Sequence, residues 1–577
     1  MNAGWSAPRF PTGGSSTDAH PLESLALWVL GAFLCAGGLI WTAGEVSGRL
    51  FGGGWPSAGL SDMGSVIAQF PHHLGDPASA WPEGASALIP GPVAFYGTGG
   101  AIVLPTVVIL VLLRTSPWAR ESNGANTARW ARPRDLRLLR VNHSDSGRLT
   151  LGRVDGRLVA AEPRQSVIVI GPTQTGKTTG FAIPAILEWQ GPVVATSVKT
   201  DLLRETLAAR QSLPGASTWV YDPTWSTGLQ GAGWNPLMRC LSWQGAQRVA
   251  EWLVRAARPG GTTLADADFW YSAAAKVLAP TLLAAACSGG TMWEVVRWID
   301  AQETDAVRFA LDANDELEAL EALQAPSRWD ERTRGSVYAT AQTVLIAYAD
   351  PGVLASAMSA ELRADRLLDG SRHTAYLCAP AHEQRRLQPL FATLVQEIVA
   401  HAYERAAETG RPLDPPLLLV LDECANIAPL RDLDTLASTG AGQGIQLVSV
   451  FQDMAQIDAV YGRDRAPTIV SNHRAKVILS GIADPPTLEY VARLLGDENV
   501  RHVSTTSGAE GRHSTTESVA YRRIAPANVL REMQPGHGVL VYGHLAPARI
   551  ALRPWFKDRQ LRRLATRPAR HMEGALP

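Results

Sequence analysis

The chain has 577 residues, of which 46% are hydrophobic and 19% charged; it is too apolar for long disorder and too long for one core, so two or three units are expected. Its 53 Lys+Arg against 54 Asp+Glu leave a formal net charge of -1, so no global basic field announces a nucleic acid, and any such contact must come from a local stripe or a pore built by several subunits. Cys35, Cys240, Cys287, Cys378 and Cys424 lie in apolar surroundings without CxxC spacing, the pattern of buried small hydrophobes rather than of a metal or disulfide framework.

After a short N-terminal segment, residues 1–23, the run from Ser24 to Gly44 carries no charge. That is long enough to cross a bilayer, and a transmembrane helix is expected over 24–43. A second uncharged stretch is densest at 94–113, with Trp28, Trp41 and Phe95 placed as interfacial anchors. The intervening loop, 44–93, holds only Arg49 as a basic residue, whereas Arg114, Arg120, Arg129, Arg132, Arg134, Arg137 and Arg140 crowd the exit of the second stretch. The positive-inside rule then places both termini in the cytoplasm and the loop outside the inner membrane. A juxtamembrane linker is expected over 114–160.

A β-branched run, Ser166–Ile170, leads straight into Gly171-Pro172-Thr173-Gln174-Thr175-Gly176-Lys177-Thr178-Thr179, and an apolar helix-like stretch follows. This is the P-loop pattern in its structural context. Its glycines let backbone N–H groups close around phosphate oxygens at a helix N-terminus. Lys177 is expected to reach the β- and γ-phosphates of ATP, and the Thr178 hydroxyl to ligate Mg2+. Lysine is scarce here, only Lys177, Lys199, Lys276, Lys476 and Lys557, so a retained lysine in a motif points to a need for a compact ammonium. One of these, Lys199, follows a second strand-like run, Gly191–Val198, at the end where α/β sheets place ligands.

The acidic partner of the P-loop is expected on a neighbouring strand. Leu417–Leu421 is a buried-strand run ending in Asp422 and Glu423; Asp422 would hold the magnesium and Glu423 would act as general base toward the attacking water. A third strand, Ile445–Gln452, ends in a glutamine able to report the γ-phosphate. Apolar strands alternating with helix-period segments predict a doubly wound α/β core, its first part over 161–240 and its second over 366–555. Between them, 241–365 reads as an all-α insertion, with apolar residues at i, i+3 and i+4. Residues 556–577 form a basic tail.

Together the two apolar stretches, Trp130–Leu136, the P-loop, Ser197–Leu202, the Tyr221–Thr224 and Trp234–Leu237 pair, the run around Asp422 and Glu423, and Ser438–Gln456 resemble the conjugative coupling proteins of type IV secretion, the TraG/TraD group. The resemblance spans about residues 24–555. It implies a RecA-like P-loop ATPase core with an all-α insertion and a two-span membrane anchor. It also implies a homo-hexamer that receives relaxase–DNA complexes and drives DNA into a secretion channel. One departure concerns the segment before the glutamine strand, where this group often carries basic residues and Thr439–Gln446 has none. Arg474 and Lys476, near the next strand, are the substitutes for an intersubunit arginine finger. The competing readings are an FtsK-like segregation translocase, a non-hydrolysing membrane receptor for a relaxase or secreted protein, and a P-loop kinase. The intact P-loop and carboxylates weigh against the receptor, and the helical insertion against the translocase.

Overall fold

The computed structural model describes residues 21–59, 61–115, 127–144, 147–197, 200–258, 265–507 and 513–567. The chain divides into two compact units, residues 1–126 and 127–577.

The first unit is built on two long helices, Pro21–Phe51 and Pro92–Thr115. Each extends past the expected apolar boundary, and the 31 residues of the first span about 46 Å at helical rise. The segment between them is not irregular: it folds into short helical turns at Met63–Gln69, Phe70–His72, Pro77–Ala80 and Glu83–Ser86. Their small core stacks Phe70, Trp81 and Phe95 in edge-on and tilted contacts. Glu45 is buried there, and its carboxylate accepts the N–H groups of Ser57 and Ala58 at 3.2 and 2.9 Å.

The second unit is organised by one mixed sheet. In chain order its strands are β1 (Thr150–Val154), β2 (Arg157–Ala160), β3 (Val167–Ile170), β4 (Val193–Ser197), β5 (Thr218–Tyr221), β6 (Thr374–Cys378), β7 (Leu417–Leu421), β8 (Ile445–Phe451) and β9 (Ala475–Leu479). A separate two-stranded ribbon follows, β10 (Asp497–Ser507) and β11 (His513–Arg523), and then β12 (His537–Tyr542) and β13 (Ala548–Ala551) rejoin the sheet. The spatial order is β2-β1-β13-β12-β9-β3-β8-β7-β4-β6-β5. From β9 to β5 all neighbours run parallel; from β12 to β2 they alternate. Every residue of β3, β4, β7 and β8 is buried. That is why these strands read as near-continuous apolar runs: helices cover both faces of the parallel half.

Two expectations need correction. The linker expected over 114–160 contains β1 and β2, an edge hairpin whose Asp155-Gly156 turn has positive φ at both residues, 49° and 75°. That dipeptide is a hairpin signal in the sequence. The acidic strand is also not the neighbour of the P-loop strand, because β8 lies between β3 and β7.

Between β5 and β6 the described residues form no strand. The larger helices are Trp243–Ala257, Ala265–Cys287, Met292–Ala301, Thr304–Asp312 and Glu331–Leu345. The Ala265–Cys287 helix is apolar enough to suggest a span, yet it is packed in the insertion core through Ala274, Leu278, Leu282 and Leu283. Gly444, with φ +84°, turns the chain from the Leu433–Gln443 helix into β8. A Cβ there would lie 2.5 Å from the Leu413 nitrogen, so no other residue fits without a shift.

Candidate functional site

The carboxyl ends of β3, β8, β7 and β4 lie side by side, so the segments following them converge on one crevice. The loop after β3 is pinned by its first residue. Gly171 N–H donates to Phe451 O at 3.1 Å, and a side chain at 171 would lie 2.8 Å from Leu479 Cβ. Gln174 and Gly176 take positive φ, 66° and 90°, which curls the loop, and Thr175 Oγ1 donates to Pro172 O at 2.8 Å. Thr173 and Gln174 are exposed on its outer side. Lys177 Nζ is held over the loop by Gly171 O and, at 2.7 Å, by Pro172 O. Burial pushes the Lys177 ammonium below the ordinary lysine range, and Glu423, Asp422 and Asp453 oppose that shift.

Thr178 begins the helix and donates through Oγ1 to Asp422 Oδ2 at 2.8 Å, across 244 residues of sequence. The backbone carbonyl of Asp422 accepts Thr196 Oγ1 at 2.9 Å, fixing the end of β7 to the end of β4. Burial pushes the Asp422 carboxyl up to about 6; the Thr178 hydroxyl and Lys177 pull it down and Glu423 raises it. A hydroxyl and a carboxylate converging in this way form a hard oxygen pair, the donor set that suits Mg2+ together with phosphate oxygens and water.

Glu423 sits in the left-handed region, φ 57° and ψ 47°. For a non-glycine residue this costs about 1–3 kcal/mol and is characteristic of functional positions. Its Oε2 accepts Asn426 Nδ2 at 2.7 Å and Gln452 Nε2 at 3.3 Å. Because β8 intervenes, the glutamine at its end reaches the glutamate at the end of β7. The backbone N–H of Gln452 donates in turn to Gln456 Oε1 at 2.9 Å. Lys177, Thr178, Asp422, Glu423 and Gln452 are therefore brought together by the fold.

Arg474 is not among them. It precedes β9, whose Ala475 pairs with Val167 at the start of β3, so it lies at the opposite end of the sheet from the P-loop. Its guanidinium pairs with Glu162 at 3.0 Å and lies over the Tyr542 ring; it adds nothing to the site of its own chain. Lys476 is buried and donates to His473 O at 2.6 Å, closing the end of the Ala466–Asn472 helix. Lys199 lies outside the described residues.

Several contributors escaped the sequence reading. Thr196 was invisible because its partner is set by strand order, and Asn426 because its contact with Glu423 depends on the left-handed turn that follows β7. The C-terminal segment after β13 was missed too. The P-loop helix opens with a π-helical turn, Thr178–Ala182, and the carbonyls of Thr179 and Gly180 accept the N–H groups of Trp555 and Arg553 at 3.0 and 3.3 Å. Arg553 then forms a buried ion pair with Glu188 at 2.9 Å, at the far end of the same helical segment.

A family model described as type IV secretory system conjugative DNA transfer matches residues 130–573. The chain is 26% identical over 379 residues to a conjugal transfer protein TraG of Escherichia coli, covering 60% of this chain and 57% of that protein. It is 23% identical over 496 residues to protein VirD4 of Agrobacterium fabrum, covering 82% and 72%. The match thus spans less than two thirds of that TraG. Among solved structures, the bacterial conjugative coupling protein TrwBdeltaN70 superposes with a TM-score of 0.57 at 19% identity, covering 74% of this chain and 92% of that one. Plasmid coupling protein TrwB with the non-hydrolysable ATP analogue ADPNP gives 0.55 at 20%, covering 74% and 93%. A further TrwB structure holds ADP and Mg2+.

Proposed function

The chain belongs to the type IV secretory conjugative DNA transfer family, and from that premise we propose that it is a membrane-anchored ATPase that spends ATP to pass DNA, or a relaxase–DNA complex, into a type IV secretion channel. The observation that carries this reading is the convergence of Lys177, Thr178, Asp422, Glu423 and Gln452 at the strand ends. In this reading the loop N–H groups from Thr173 to Thr179 receive the phosphates and Lys177 neutralises their charge. Thr178 and Asp422 would hold Mg2+, which when bound offsets charge on the β- and γ-phosphates. Glu423, aimed by its left-handed backbone and by Asn426, orients the attacking water and takes its proton. Gln452 links that carboxylate to the end of β8, so the state of the γ-phosphate is passed to the rest of the sheet. The nucleotide contents of the TrwB structures support this assignment.

The DNA contact is proposed to be a pore lined once per subunit in a homo-hexamer, with the exposed arginines Arg559, Arg562 and Arg563 as a secondary basic surface. A chain of net charge -1 offers no broad attraction, so affinity rests on a few phosphate contacts repeated by symmetry. Filter binding of the detergent-solubilised chain across a salt series is expected to show affinity falling by roughly 10³-fold or more between 50 and 200 mM salt, with scrambled duplexes equivalent. Light scattering on the same preparation is expected to report six chains. Salt-insensitive binding, strong preference for one sequence, or DNA bound by a monomer would remove the pore.

The helices Pro21–Phe51 and Pro92–Thr115 are proposed as the two inner-membrane spans, with both termini cytoplasmic. A cysteine introduced at Ser65 is expected to react with a membrane-impermeant maleimide added outside spheroplasts, and one introduced at Ser336 only after lysis. The reverse pattern would invert the topology.

A further inference from the structure

The phosphate chain of a P-loop nucleotide has a direction. With Thr178, Asp422 and Glu423 on the β7 side of β3, its γ end would lie there and its α end against the first helical turn, where backbone amides would receive it. A nucleoside continuing beyond the α-phosphate would leave the loop on the opposite flank, where β9, β12 and β13 follow β3 in the sheet.

That flank is occupied by the segment leaving β13. Leu552 fits into a notch left by two glycines: a Cβ on Gly180 would stand 2.9 Å from Leu552 Cβ, and one on Gly176 would stand 3.8 Å from Leu552 Cδ1. The N–H groups of Arg553 and Trp555 are bonded to the carbonyls of Gly180 and Thr179. Arg553 is locked from below by Glu188 and, at 3.2 Å, by Asp558. The segment is thus fixed against the turn that receives the α-phosphate. Trp555, whose N–H is bonded to Thr179, and the next residue Phe556 form an aromatic pair, with ring centroids 6.0 Å apart and planes at 89°. Trp555 packs partly on the core, while Phe556 is 46% exposed, an unusual position for phenylalanine beside Lys557 and Arg559.

We propose that the Trp555–Phe556 pair is the nucleoside subsite, with Phe556 stacking on the base of the bound nucleotide. The proposal rests on the P-loop reading above and adds the half of the ligand that reading leaves unassigned. Stacking uses the π-face that every base has, so adenine and guanine should be accepted almost equally.

The test compares binding of Mg-ATP, Mg-GTP and Mg-tripolyphosphate to the full-length chain in detergent by titration calorimetry, for wild type, Phe556→Ala and Phe556→Trp. Tripolyphosphate presents the phosphates without a nucleoside. The expected result is that Phe556→Ala weakens ATP and GTP about tenfold, within the range for loss of one aromatic–base stack. It should leave tripolyphosphate unchanged, and Phe556→Trp should restore nucleotide affinity. Wild-type affinity of Phe556→Ala for ATP would overturn the subsite. Equal weakening of tripolyphosphate would also overturn it, by showing a disturbed loop rather than a lost stack. Failure of the wild-type chain to bind any of the three would instead remove the P-loop reading itself.

Discussion

Glu423→Gln is expected to bind ATP within about threefold of wild type while its turnover falls by roughly 10²–10⁴-fold, the usual worth of a positioned general base. The substitution keeps the shape of the side chain, and an amide oxygen can still accept from Asn426 Nδ2, now at 2.7 Å from the carboxylate. What it loses is the capacity to take a proton from water. Lys177→Ala should separate from it cleanly. That ammonium stands over the loop on Gly171 O and Pro172 O, so its removal should weaken nucleotide binding first. Steady-state hydrolysis and equilibrium binding on the same preparations distinguish the two. In a mating assay both variants should abolish transfer. A Glu423→Gln chain that hydrolyses ATP like wild type would sink the base assignment, and one that supports transfer without hydrolysis would favour a passive receptor.

Glu188→Ala should be the most damaging single change away from the chemistry, costing about 3–5 kcal/mol as a broken buried ion pair. The side chains of Arg553 and Glu188 are only 3% and 7% exposed. Removing the carboxylate leaves a buried guanidinium with Asp558 as its remaining charged partner, and Thr150 Oγ1 loses an acceptor at 2.6 Å. Because Arg553 sits two residues from Trp555, the damage should be directional. Hydrogen exchange at 552–558 should rise well before exchange in β3 or β8, since those strands are buried independently of this pair. A double variant, Glu188→Leu with Arg553→Met, should recover much of the loss, because the cost lies in the unpaired charge rather than in the missing pair. Unchanged exchange in Glu188→Ala would show that the segment is held by its backbone bonds alone.

The site was legible in the sequence where chemistry and local structure coincide. The P-loop carries its own strand and helix, and Asp422 and Glu423 follow an apolar run that can only be a buried strand. Strand order was not legible. Nothing in the runs around Leu419 or Val448 says which of them stands beside β3, since both are mainly apolar and buried throughout. The Gln452–Glu423 contact follows from that order and was hidden with it. Arg474, named for an intersubunit finger, stands at the amino end of β9 and so away from the crevice of its own chain. The strap over the P-loop helix joins residues 179 and 555, a separation at which no periodicity speaks. The β1–β2 hairpin is different, because its Asp-Gly turn was there to be read.

β5 and β6 are paired in parallel, Thr218 beside Thr374, although the whole helical insertion lies between them. During synthesis the edge of the sheet therefore waits for about 150 residues to emerge, roughly 8–30 s at ribosomal speed. Closing so long a loop is costly for a flexible chain. An insertion that folds first on the ribosome brings its two ends together and turns that closure into a short one. Any helical module whose ends meet at the spacing of adjacent strands can be carried there, so the insertion can be lengthened, shortened or exchanged over evolution while the parallel sheet is inherited unchanged.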